Sequence, residues 1–244
     1  MIVFDNRGIG ESSVTEGPYS VGGLATDAAE VVAALGHAKV HVLGISLGGM
    51  VAQQLAADAP ESVASLALCS TTAGGKLMTG CEKSFARSFF GSFRGWKEDD
   101  PASQLDAMRV FIKGCLAPRN KLANDSSSVE RLAVSSLWAG RRTAEGVGNQ
   151  LAALGWKGGL DLERIEQPAL IVHGTEDQVL PFPNAETLAA TLPSARLVPL
   201  HGHGHLWNFT HESAVRTIDQ FLLDVEGGSL ADSYTTEPFA ANYI

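Results

Sequence analysis

The sequence is short of cysteine, of positive charge and of long apolar runs, and each shortage excludes something. Its 244 residues hold three cysteines, Cys69, Cys81 and Cys115, too few and too unevenly spaced for a disulfide framework or a zinc cluster. Lys and Arg number 18 against 27 Asp and Glu, a formal net charge of −9. Without a basic run, that balance argues against nucleic acid or an anionic membrane as the main partner. The apolar stretches are broken by Gly or charge well short of the ~20 residues that a membrane-spanning helix needs. No charged-then-apolar leader precedes the first structured residues, so no signal peptide is expected. Internal repeats and low-complexity tracts are also missing. The expectation is a soluble, cytoplasmic chain. Its 45% hydrophobic content can bury a substantial core, and its length suits one domain with an inserted subdomain.

What is present reads as alternating strands and helices. Residues 1–5 are apolar and β-branched and close on Asn6-Arg7-Gly8, which predicts a buried strand ending in a turn. Over residues 21–35, Leu24, Ala28, Val31, Val32 and Leu35 share a helical face, with Gly36 as the stop. A strand is expected over 39–44, a Ser-Leu-Gly-Gly turn after it, a helix over 50–59 ended by Pro60, and a strand over 63–70. This order argues for a parallel sheet with right-handed crossovers. The rhythm breaks over 71–159, where Phe85, Phe89, Phe90, Phe93, Trp96, Phe111, Trp138 and Trp156 fall at helical spacings. This stretch reads as a helical insertion over the sheet's carboxyl edge. The pattern then resumes with strands over 168–173 and 195–200 and helices over 184–192 and 211–225. The expected architecture is an α/β core of residues 1–70 and 160–226, a mainly parallel sheet of about five strands, a lid over 71–159, and a loose tail over 227–244.

The strongest chemical signal is Gly44-Ile45-Ser46-Leu47-Gly48, a G-x-S-x-G between an expected strand and an expected helix. A serine on so sharp a turn adopts a strained backbone, and flanking glycines remove side-chain collisions. The turn aims the Ser46 hydroxyl out of the sheet and sets the Leu47 N–H beside it at a helix N-terminus, where it can stabilise an oxyanion. The plainer alternative is a helix-capping serine. A serine hydroxyl needs a base, and the base an orienting acid. Both types follow at strand ends: Glu176 and Asp177 after one strand, then His201, His203 and His205 after the next. All would sit at the carboxyl edge of one parallel sheet. The His-x-His-x-His tract could also be read as metal ligands, but no Cys or carboxylate cluster at metal-site spacing accompanies it. Gly8-Ile-Gly10-Glu11 lacks the third glycine and the distal acid of a dinucleotide fingerprint.

Four segments in order carry a resemblance: residues 5–12 (Asp-Asn-Arg-Gly-Ile-Gly-Glu-Ser), the Gly-Ile-Ser46-Leu-Gly-Gly turn, Pro-Ala-Leu-Ile-Val-His-Gly-Thr-Glu-Asp177, and Gly202-His-Gly-His205. Together they resemble the α/β-hydrolase superfamily, and within it the small esterase and 3-oxoadipate enol-lactonase-like group. The resemblance implies Ser46 as nucleophile, His205 as base in preference to His201 and His203, and Asp177 as acid in preference to Glu176. It implies the Leu47 N–H as an oxyanion donor and Asp5 and Arg7 as framework residues. It further implies a serine hydrolase that cleaves a carboxylic ester or lactone of a small apolar substrate, with no cofactor and no metal. In the family three strands and a helix precede the strand that here starts at Met1, and the loop after the third supplies a second oxyanion donor. Two expectations follow. The chain is a fragment of a normal hydrolase, or the Met1 strand has moved beside the Ser46 strand to make a compact sheet. Because that oxyanion loop is missing, the alternative function is an inactive fragment or a non-catalytic binding protein of the same fold.

Overall fold

The computed structural model describes residues 1–93, 96–97, 99–138, 143–209 and 211–236. In chain order its main elements are α1 (Val21–Ala34), β1 (Val40–Ile45), α2 (Leu47–Asp58), β2 (Val63–Cys69), α3 (Lys83–Ser92), α4 (Pro101–Cys115), α5 (Lys121–Asn124), α6 (Ser126–Trp138), α7 (Ala144–Ala153), β3 (Ala169–Gly174), α8 (Pro183–Thr191), β4 (Ala195–Leu200) and α9 (Glu212–Gly227). Among the described residues the sheet has four strands in the order β1-β2-β3-β4, every pair parallel. Parallel neighbours cannot be joined by a tight turn, so each step carries a helical crossover.

The two central strands are apolar almost throughout because both of their faces are covered. Successive side chains point to opposite faces. Leu66, Leu68 and Ile171 pack with Leu24 of α1, Met50 and Leu55 of α2 and Leu188 of α8. Ala67, Cys69, Leu170 and Val172 pack on the other side with Ala214, Ile218 and Phe221 of α9 and with Trp207. Residues 71–159 have a cluster of their own, with Met108 and Ile112 of α4 against Val129 and Ala133 of α6. Phe89 of α3 meets Phe111 of α4 at a ring distance of 5.3 Å. These helices are stopped and started by polar caps: the carboxylates of Glu82 and Asp100 and the hydroxyl of Thr143 accept first-turn N–H groups. Pro101 sits at the first turn of α4, where its missing N–H costs nothing. The Trp138 side chain and residues 139–142 lie outside the described residues.

Three expectations are corrected. Residues 1–6 form no strand. Met1, Ile2, Val3 and Phe4 are exposed, and so is Leu43 on β1, which is the sheet's edge. An apolar run becomes a strand only where a partner's free edge lies alongside it. Among the described residues the Met1 segment has no such partner and has not moved beside β1; the four strands come close to the expected sheet of about five. From Asp5 onward the chain is held as a loop. The Asp5 carboxylate accepts the Glu11 N–H at 3.0 Å, Arg7 pairs with Asp27 of α1, and the Arg7 carbonyl accepts Gln150 of α7 at 3.0 Å.

The second correction concerns α2, which begins at Leu47 and not at Met50. The Gly48-Gly49 pair that read as a turn is the helix's first turn. The third concerns the tail. Residues 229–236 have no regular secondary structure, yet Tyr234 is buried and stands edge-on to Phe221 at 5.6 Å. Its hydroxyl donates to Asp224 at 2.8 Å, and Arg196 of β4 donates to the Ala231 carbonyl at 2.7 Å. Tyr234 and these bonds anchor the segment without periodicity, and it shares with α9 the task of covering the sheet. Residues 237–244 lie outside the described residues.

Phe221 is fully buried where α9, the tail and the sheet meet. Phe221→Ala is therefore expected to destabilise the chain by about 3–5 kcal/mol, measured from the urea midpoint at unchanged slope. A loss below about 1 kcal/mol would contradict this packing.

Candidate active site

The parallel registers bring four strand ends into line, Ile45 beside Cys69, Cys69 beside Val172 and Gly174 beside Leu200. Whatever follows each strand therefore gathers at one edge. After β1 comes Ser46, with φ 56° and ψ −117°. This left-handed φ is costly for any residue but glycine. The Ser46 hydroxyl makes no capping hydrogen bond to α2, so the capping-serine alternative is set aside. Leu47 is the first residue of α2, where backbone N–H groups have no partner inside the helix. The glycines of the motif differ in their reason for being there. A Cβ on Gly44 would fall onto the carbonyl of Gly48, and one on Gly49 would lie 2.6 Å from Thr71. Gly48 faces open space within 4 Å, so the collision-relieving glycines are Gly44 and Gly49, not both flanks of the motif.

After β3 the chain turns so that the Asp177 N–H meets the Gly174 carbonyl. The Asp177 carboxylate is buried. Its Oδ1 accepts the N–H groups of Val179 and Leu180 at 2.8 and 2.9 Å. Its Oδ2 accepts His205 Nδ1 at 2.7 Å and lies 3.2 Å from His173 Nε2. Burial works to raise this carboxyl's pKa, but electrostatic attraction to the His205 ring and the hydrogen bonds from His173 and His205 prevail and hold it at about 2. Glu176 instead contributes its backbone N–H to the His203 carbonyl at 2.9 Å.

The three histidines after β4 part company. His201 is exposed, His203 half-buried and His205 buried. The His203 ring packs on that of His211 at 4.5 Å, and burial together with His211 pushes its pKa down to about 4. Only His205 of the three bonds to Asp177. Among the described residues no three His, Cys, Asp or Glu side chains are placed to hold a metal ion. Burial pushes the Cys69 thiol up to about 12 and raises Cys115 as well, which disfavours the thiolate at both.

The site is therefore assembled in part. Asp177 and His205 are bonded, and Ser46 stands on its strained turn at the same edge. A bond from the Ser46 hydroxyl to His205 is not among those the described residues make, a contact that often tightens only with substrate in place. Instead Ser46 and His205 are joined through β2. The Ser46 N–H donates to the Cys69 carbonyl at 2.9 Å, and the Ser70 hydroxyl donates to the His205 carbonyl at 2.9 Å. A groove of about 510 Å³ flanks this edge, lined by Glu82, Ser84, Phe85, Ser88, Gln178 and Pro181. Neither Ser46 nor His205 lines it.

Sequence reasoning missed His173, Ser70 and Thr71. His173 Nε2 donates to the Leu180 carbonyl at 2.8 Å as well as facing Asp177, so it supports the acid's loop from below. The available signal was a polar residue near the end of an otherwise apolar, fully buried strand, since such groups persist inside only when bonded.

Two predictions follow from this geometry. Gly44→Ala is expected to lower stability by more than about 2 kcal/mol, because backbone cannot yield to the new methyl, while Gly48→Ala, on an open helical position, leaves stability unchanged or raises it by up to about 1 kcal/mol. Equal melting temperatures for the two variants would contradict it. The second concerns acid. His203 is held below its ordinary 6.5 and Asp177 below its ordinary 3.8, so both contribute stability above those values and lose it as pH falls toward the folded ones. Burial lowers the His211 pKa as well, so urea midpoints should fall between about pH 6.5 and 4 through His203 and His211 and again below about 3.8 through Asp177. His203→Gln should shrink the upper step and leave the lower one in place. A midpoint constant from pH 7 to 4 in the unsubstituted chain would contradict this.

Comparisons with known proteins give the family. Residues 1–212 match the model of the alpha/beta hydrolase fold family. A poly(3-hydroxyalkanoate) depolymerase of Ectopseudomonas oleovorans is 31% identical over 228 residues, 93% of this chain and 75% of that protein. A pimeloyl-[acyl-carrier protein] methyl ester esterase of Aromatoleum aromaticum is 32% identical over 178 residues, 70% of this chain and 68% of that one. Among solved structures, a hydrolase from Pseudomonas aeruginosa PA01 superposes with a TM-score of 0.68 at 30% identity, covering 91% of this chain and 78% of its own. No helix among the described residues is long and apolar enough to cross a membrane. On the strength of that fold and these matches, the chain belongs to the alpha/beta hydrolase fold family and is an α/β-hydrolase.

Proposed function

We propose that this hydrolase cleaves a carboxylic ester or lactone of a small, fairly apolar substrate, with Ser46 as nucleophile, His205 as general base and Asp177 as its orienting acid. The observation that carries the reading is the buried 2.7 Å bond between His205 Nδ1 and Asp177 Oδ2, at the sheet edge that also holds Ser46. Asp177 stays ionised there, and a carboxylate on Nδ1 fixes the tautomer that leaves Nε2 able to take a proton. His205 takes the Ser46 proton as Oγ bonds to the substrate carbonyl carbon. The carbonyl oxygen becomes an oxyanion facing the Leu47 N–H, supported by the α2 dipole. The tetrahedral species then collapses, the carbon–oxygen bond to the alcohol breaks, and His205 returns the proton to the leaving oxygen. Water, deprotonated by the same imidazole, attacks the acyl carbon; the carbon–oxygen bond to Ser46 breaks, His205 returns the proton to Oγ, and the acid leaves. The names of the similar esterase and depolymerase support ester-bond chemistry. A serine at position 46 supports an acyl-enzyme and not the alkyl-enzyme that an aspartate nucleophile would form.

The test is fluorophosphonate labelling of the purified chain together with hydrolysis of a panel of p-nitrophenyl esters and lactones. Labelling is expected at Ser46 and lost in Ser46→Ala. Asp177→Asn should lower kcat by about 10⁴-fold through the wrong imidazole tautomer, whereas Glu176→Gln should stay within about threefold. A folded chain that takes no label would contradict the reading and favour a non-catalytic binding protein of the same fold.

A further inference from the structure

Three consecutive hydroxyl residues follow β2, namely Ser70, Thr71 and Thr72, and all three are fully buried. Each reaches a different part of the site. Ser70 Oγ donates to the carbonyl of His205 at 2.9 Å. Thr71 Oγ1 donates to the carbonyl of Ser46 at 2.8 Å. Thr72 Oγ1 donates to Asn184 Oδ1 at 2.8 Å, and the Asn184 amide donates to the Pro181 carbonyl at 2.8 Å. That carbonyl closes the loop whose Val179 and Leu180 N–H groups bond Asp177.

Backbone groups reinforce the same hub. The Cys69 carbonyl accepts the Ser46 N–H, and the Ser70 N–H donates to the Val172 carbonyl of β3, both at 2.9 Å. Ser70 makes these bonds at φ +43°, a conformation that persists in a residue with a side chain only where its surroundings impose it. Thr71 is held against the first turn of α2, since a Cβ on Gly49 would lie 2.6 Å from it. Alanine at 70 and valine at 71 and 72 would fill these positions without a desolvation cost. Hydroxyls aimed at Ser46, His205 and the Asp177 loop therefore point to a role in geometry.

We propose that Ser70 and Thr71 are positioning residues, which hold the His205 loop and the Ser46 turn at a fixed separation, and that Thr72 holds the Asp177 loop to the same strand end. This inference rests on Ser46 and His205 being the reacting pair. A hydroxyl bonded to the backbone carbonyl of a reacting residue acts on where that residue sits, so its loss should lower turnover while leaving substrate affinity in place.

The experiment compares Ser70→Ala, Thr71→Val and Thr71→Ser with the unsubstituted chain. It measures the fluorophosphonate labelling rate, kcat and KM on one p-nitrophenyl ester, and the melting temperature. Ser70→Ala and Thr71→Val are expected to lower kcat and labelling rate about 10- to 100-fold with KM within about threefold. Thr71→Ser, which keeps the donor and loses the methyl, is expected to recover most of that loss even though it melts no higher than the isosteric valine. Unchanged kcat in Ser70→Ala and Thr71→Val, or activity that follows melting temperature with no recovery in Thr71→Ser, overturns the inference. If Thr71→Val does not fold, Ser70→Ala decides it: a kcat equal to that of the unsubstituted chain overturns the role. Failure of the underlying reading looks different, because the unsubstituted chain would then take no more label than Ser46→Ala.

Discussion

Much of this molecule's arrangement is a response to one carboxylate taken out of water. Asp177 is buried, and an isolated buried carboxylate would give up its charge. It keeps the charge because four donors converge on it: two backbone N–H groups from its own loop, the His205 ring, and the His173 ring at longer range. Each donor presupposes a piece of fold. The loop amides need the tight turn after β3. His173 needs the last turn-out of a fully buried strand. His205 needs a loop delivered by the neighbouring parallel strand. The acid is ionised because the sheet is parallel and in register.

The same register explains how the helical segment between β2 and β3 is tied to the site. A Cβ on Gly204 would lie 2.5 Å from Ala117 N and 2.6 Å from the Cys115 carbonyl, at the end of α4. The next residue but one, Leu206, donates its N–H to that same carbonyl at 3.1 Å and packs into the segment's own cluster. His205 thus sits between a contact to α4 on either side and a hydroxyl from the end of β2 behind it.

The fold was legible in the sequence wherever burial is two-sided. Strands such as Val63–Cys69 and Ala169–Gly174 have nowhere to go but the middle of a covered sheet, and the glycine-flanked serine marks the sharp turn after β1. The pair Asp177 and His205 was legible only through resemblance to the α/β-hydrolase superfamily, because Glu176, His201 and His203 offer the same chemistry at the same strand ends. What separated them was which side chain the turn geometry buries. The reading went astray where a pattern needs a partner that local sequence cannot supply. Residues 1–5 have the composition of a strand but no free edge beside them, and Gly48-Gly49 have the composition of a turn but continue a helix. Tyr234, in an aperiodic tail, helps anchor residues 229–236 through its ring and its hydroxyl. The hydroxyl run at 70–72 had no signal beyond polarity next to a buried strand, since its meaning lies in three carbonyl and amide partners distant in sequence.

The most direct measurement of the central claim is the low-field proton NMR spectrum of the resting protein near neutral pH. The account predicts a resonance well downfield of the backbone amides from His205 Nδ1–H bonded to the Asp177 carboxylate. It should vanish in both His205→Gln and Asp177→Asn and persist in Glu176→Gln and His203→Gln. A spectrum without such a resonance, or one whose resonance survives Asp177→Asn, would contradict the account.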